Sequence, residues 1–177
     1  MNLPASGPWR DLCGPLLDTS VHPLRYVLRA WPRAMVPTLG IALVLSTLFQ
    51  LLGHDLFLGE DPMAPLKSIS KWGFLLTIVL FAPLSETLLM APMLAVLMRL
   101  WGGRRLPAAL SSAAVWAFLH SLSALLWGVC IFWTFLVLSI AWLAWRPRSF
   151  GHAFLVTFGI HALQNAAAGV WVVMLAW

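Results

Sequence analysis

Charge is the first thing this sequence lacks. Only 10% of its 177 residues are Asp, Glu, Lys or Arg, whereas a soluble domain carries about 25%, so water is not the main solvent for the chain. It also lacks a solvated basic face. The formal net charge is +5, but Lys and Arg fall in short connectors between apolar segments, a pattern of membrane orientation rather than of nucleic-acid binding. Cysteine is scarce. Cys13 lies in a polar N-terminal stretch and Cys130 in an apolar segment, so no structural disulfide is expected, and a free membrane Cys behaves as a small hydrophobe. The first thirty residues hold Pro4, Pro8, Arg10, Asp11, Pro15 and Asp18 and no apolar core of a signal peptide.

Hydrophobic residues make up 61% of the chain, with a mean hydropathy of +0.88. The expected fold is an all-α, polytopic membrane helix bundle. Residues 1–33 read as a cytoplasmic tail with a short amphipathic helix. Leu24, Val27, Leu28 and Trp31 fall on one helical face and Arg25, Arg29 and Arg33 on another, as in helices that lie on a membrane surface. Residues 34–177 read as a single transmembrane helix-bundle domain of about five helices. The apolar segments run roughly over 34–52, 72–100, 107–123, 125–145 and 152–177, each near the 17–25 residues that cross a bilayer. The second is long enough to tilt or to break near Pro83 and Pro92. The third and fourth form one apolar stretch, with a turn expected around Ser121, Ser123 and Gly128.

Charge asymmetry orients the bundle. Arg10, Arg25, Arg29 and Arg33, then Arg99, Arg104 and Arg105, then Arg146 and Arg148 fall on one side of a five-helix chain; only Lys67 and Lys71 fall on the other, beside Asp55, Glu60 and Asp61. By the positive-inside rule the N-terminus is cytoplasmic.

Within the apolar segments, acid is reduced to one residue, Glu86; the remaining acids lie in the tail or connectors. His120 and His161 also lie inside segments, while His152 sits near a segment end and His22 and His54 lie outside them. An ionisable residue at mid-membrane costs about 2.5–3.5 kcal/mol on insertion scales, so each needs a reason. Glu86 is 13 residues from Arg99, His120 is 15 from Arg105 and His161 is 13 from Arg148. At about 1.5 Å per residue, all three lie about 20 Å from the arginine layer and are expected to meet. Asn165 stands one turn beyond His161 on the same face. Ala166, Ala167, Ala168 and Gly169, and the alanines and serines between Ala108 and Ala117, allow the helices to approach closely.

Such a set supports hydrolysis. A carboxylate held out of bulk water can act as a general base near neutral pH; a neighbouring imidazole orients the water, and a second His with an Asn offers donors to an oxyanion. One Glu and two His are equally the ligands of some catalytic zinc sites. Taken singly, either His also reads as glue between helices.

In order and spacing these residues resemble the CPBP family of intramembrane endopeptidases, also called ABI or CAAX-protease-like. The run Ala82-Pro83-Leu84-Ser85-Glu86-Thr87-Leu88-Leu89-Met90-Ala91 is similar to the family's first motif, a glutamate pair followed four residues later by arginine. Trp116 to His120 is similar to the second, and His161-Ala162-Leu163-Gln164-Asn165 to the last. The resemblance implies that Glu86 and His120 activate water, that His161 and Asn165 stabilise the oxyanion, and that no metal is needed; zinc on Glu86, His120 and His161 is the minority reading. It implies a peptide or membrane-protein substrate in the bilayer. Two positions depart from the motif: Thr87 replaces the second glutamate and Ala91 the arginine. Losing either charge alone would leave its partner buried and unpaired, whereas losing both preserves neutrality. A catalytically inactive scaffold or immunity protein of the same fold, or a small proton-relay or transport subunit, is the alternative.

Overall fold

A computed structural model describes residues 8–53 and 68–176; His54, Asp55, Glu60, Asp61, Lys67 and Trp177 lie outside them. The described chain is all helix, in six elements: α1 (Pro8–Leu17), α2 (Pro23–Leu51), α3 (Lys71–Leu100), α4 (Arg105–Ser121), α5 (Trp127–Trp145) and α6 (Phe150–Ala176). Helices α2, α3, α5 and α6 are long and apolar enough to cross a membrane. Helix α4, with 17 residues, stands at the lower limit of a spanning helix and packs along α5.

Helix α5 is the axis of the bundle. Every residue from Thr134 to Leu143 is buried, and α2, α4 and α6 all pack against it. Its sequence has no polar face because every face meets another helix. The outer helices show the opposite pattern. Val36, Leu43, Leu51, Leu76, Leu89 and Leu155 are exposed, Leu51 to 81%. Apolar surface on this scale requires lipid around it. The chain is a membrane protein.

The N-terminal reading needs correction. The amphipathic run does not form a separate surface helix: α2 continues without a break across the expected boundary between residues 33 and 34. Its face of Tyr26, Val27, Ala30 and Ala34 is buried, with the Tyr26 ring packed edge-on against Trp145 at 5.2 Å. The proline ring at 32 or 37 does not stop the helix. Ahead of it, residues read as polar tail form α1, whose Cys13 and Leu16 join the core. The Tyr26 hydroxyl donates to the Leu16 carbonyl at 2.6 Å and ties α1 to α2.

Helices α4 and α5 are joined by a turn over residues 122–126, and Gly128 is already inside α5. A Cβ at Gly128 would run into the Ala117 carbonyl and Ser121 Oγ. This absence of a side chain lets the α5 backbone rest on α4. Ser139 donates to Ser112 Oγ at 2.9 Å across the same interface.

Helix α3 is irregular where the sequence foretold a break. Thr77–Phe81 forms a π-helical turn, and regular α-helix resumes at Ala82 and continues through Pro92.

Candidate functional site

Pro83 explains the wide turn and, through it, the position of Glu86. In the π-helical register the Ala82 amide donates five residues back, to the Thr77 carbonyl. The next donor in that register would be residue 83, aimed at the Ile78 carbonyl, and proline has no N–H. The missing donor comes from another helix. Asn165 Nδ2 on α6 donates to the Ile78 carbonyl at 2.8 Å, so a backbone acceptor that could find no water in a membrane is satisfied. Gly169, one turn further along α6, allows the approach: a Cβ there would meet the Ile78 and Leu75 side chains. Ser85 adds a local anchor, donating to the Phe81 and Ala82 carbonyls at 3.0 Å each. The Thr87 hydroxyl, by contrast, is buried and unpartnered.

One turn past Pro83, the Glu86 carboxylate faces α6. Its Oε2 lies 3.6 Å from His161 Nε2, with both side chains largely buried. That separation is ion-pair range, longer than a hydrogen bond. His161 Nδ1 and Glu86 Oε2 have no hydrogen-bond partner in the protein, and neither does Gln164 Oε1.

His120 comes from the last turn of α4. Its Nδ1 lies 2.8 Å from the Trp116 carbonyl. A carbonyl can only accept, so Nδ1 carries the proton and Nε2 keeps its lone pair. Aromatic rings hold the imidazole. Trp127 meets it edge-on at 5.1 Å, and Phe135 lies 5.3 Å from His120 and 5.5 Å from His161, between the two. Trp116 stacks on Phe135 at 5.0 Å, a packing role.

Glu86, His120, His161 and Asn165 all line one cavity of about 410 Å³, together with Gln164, Thr38 and Thr134. Thr38 and Thr134 share a hydrogen bond of 2.8 Å. The rest of the wall is apolar. The sequence reading did not single out Phe135 or Gln164. Gln164 carried a signal, as an amide beside Asn165 in an apolar helix; Phe135 sits in a uniformly apolar run and carried none. His152 lies elsewhere, within 2.8 Å of Ser149 Oγ at the start of α6.

Among the described residues no three His, Cys, Asp or Glu side chains are grouped so as to hold a metal ion. A zinc site on Glu86, His120 and His161 would require His120 to draw in toward the other two.

Compared with protein-family models, curated proteins and solved structures, the chain gives no match. The functional reading therefore rests on the residues of the cavity.

Proposed function

We propose that this protein is an intramembrane endopeptidase of the CPBP type, hydrolysing a peptide bond of a peptide or membrane-protein substrate. The observation that carries the reading is the Glu86 carboxylate 3.6 Å from His161, in a cavity that His120 and Asn165 also line. In the proposed reaction a water between Glu86 and the scissile carbonyl gives a proton to the carboxylate. The resulting hydroxide attacks the carbonyl carbon, and the C–N bond breaks as the proton passes to the leaving amine. His120 Nε2, with its free lone pair, orients that water. His161 and Asn165 face the developing oxyanion. Asn165 has two amide hydrogens and spends one on Ile78, leaving one for the oxyanion. The host is the inner, cell membrane of a bacterium, with the N-terminus cytoplasmic.

The second reading is a scaffold or immunity protein of the same fold without catalysis. Thr87, fully buried with an unpartnered hydroxyl, and Ala91 stand where the motif has a second glutamate and an arginine. A proton-relay or transport subunit is the third.

The test is turnover of a peptide library by purified protein in detergent, with wild type beside Glu86→Ala and His161→Ala. Cleavage that falls by about 10²–10⁴-fold in both supports the enzyme. Cleavage equal in all three, or none in the wild type, favours the scaffold, and proton flux in liposomes favours transport.

A further inference from the structure

At the end of the bundle where α3 closes and α4 begins there is a second cavity, of about 360 Å³, separate from the Glu86 site. Its wall is hydrocarbon: Ala91, Ala95 and Met98 of α3 line it at helical spacing, over a floor of Leu94 and of Trp142 from α5. Leu94 and Trp142 are almost fully buried beneath it. Its rim is cationic. Arg105 opens α4, and Arg146 stands directly after α5. Among the described residues neither guanidinium is paired with a carboxylate; Arg146 rests 6.0 Å from the Phe150 ring. The start of α4 adds to the positive potential, with no side-chain cap and no acid in its first turn, where a helix ordinarily attracts one.

Arg105 and Arg146 thus line one apolar groove with no carboxylate partner among the described residues. The charge complement is an anion. The hydrocarbon wall specifies what the anion is joined to, because a free phosphate would leave the accessible α3 stripe of Ala91, Ala95 and Met98 uncovered. The depth agrees, since the groove opens where the chain leaves its apolar segments, at the level of lipid headgroups. We propose that this cavity binds one anionic phospholipid, its phosphate between Arg105 and Arg146 and one acyl chain along Ala91, Ala95 and Met98. The proposal does not depend on the hydrolase reading.

The experiment is thermal unfolding of the purified full chain in a neutral detergent with added phosphatidylglycerol, phosphatidylcholine of the same acyl chains, or inorganic phosphate. Phosphatidylglycerol should raise the midpoint of the wild type by about 4 °C and phosphatidylcholine by much less. The double variant Arg105→Gln/Arg146→Gln should lose most of the difference, while Arg25→Gln, outside the groove, keeps it. Equal shifts from the two lipids, or an unchanged response in the double variant, would overturn the proposal. A phosphate effect as large as that of phosphatidylglycerol would do the same. Should the double variant fail to fold, native mass spectrometry of the wild type in an equimolar lipid mixture decides: preferential retention of phosphatidylglycerol supports the site, and equal retention refutes it.

Discussion

The α4–α5 interface and the α3–α6 interface are built from similar small and apolar residues, yet they handle polar groups in opposite ways. Between α4 and α5 polar atoms are few, and the hydroxyls are matched, although the Trp116 indole N–H is buried without a partner. Ser139 bonds Ser112, and Gly128 seats one backbone against the other. Between α3 and α6 the helix is distorted at Thr77–Phe81, and Glu86 Oε2, Thr87 Oγ1, His161 Nδ1 and Gln164 Oε1 are buried without partners. Each unmatched buried polar atom costs about 1–3 kcal/mol, so a membrane bundle keeps several together only where something else uses them. The first interface is mainly scaffold, and the second is where the unmatched polar side chains gather, as the proposed hydrolysis requires.

The largest expected effect on stability comes from the scaffold. Gly128→Ala drives a methyl into the Ala117 carbonyl, a backbone atom that cannot swing aside, and should lower stability by about 3 kcal/mol. Gly40→Ala, with open space around it, should be neutral or stabilising by up to about 1 kcal/mol. Thermal melts in detergent compare them; a Gly128→Ala midpoint equal to wild type would show that α4 and α5 are not in the contact described.

Next is the hydrogen bond that Asn165 makes across the α3–α6 interface. Asn165→Ala strands the Ile78 carbonyl and should cost about 1–3 kcal/mol. Pro83→Ala restores an N–H in the same register, so in that background Asn165→Ala should cost less than half as much. An identical cost in both backgrounds would mean that Asn165 does not substitute for the missing amide of Pro83.

This pair also marks how far the sequence could be read. The lone Glu86, the shared depth of His120 and His161 and the i, i+4 spacing of Asn165 were legible, because polar residues stand out against an apolar background. So was a break near Pro83, since proline's missing N–H is a local fact. The partner of the freed carbonyl was not legible: it lies 87 residues away and is set by helix packing. Helix α1 and the first half of α2 were misread for a related reason. Arginines there suggest water, while burial of Tyr26, Ala30 and Leu16 depends on α5 and α6 meeting them. The split between α4 and α5 was legible as well: a turn was expected around Ser121, Ser123 and Gly128, and it falls at residues 122–126.

A smaller effect should follow Ser139→Ala. The Ser112 hydroxyl loses its interhelical partner, and such bonds average about 0.6 kcal/mol inside membranes. A loss several times larger would mean that the matched pair holds α4 and α5 together more than backbone contact at Gly128 does.

The smallest effect on stability is expected at Glu86, the residue on which the proposed chemistry depends. Glu86→Leu removes a carboxylate oxygen that has no hydrogen-bond partner in the fold and fills the space with a hydrocarbon of similar size. Truncating a matched polar pair destabilises, but removing an unmatched polar group from an apolar setting does not. Stability should therefore stay within about 0.5 kcal/mol of wild type or rise, while any peptide cleavage disappears. Gly128→Ala should show the reverse dissociation, lost stability with the remaining folded fraction still active per molecule. A Glu86→Leu protein that melts as early as Gly128→Ala would erase the distinction between the two interfaces: Glu86 would then be part of the scaffold, its closeness to His161 a structural pairing, and the scaffold reading of the whole protein would gain.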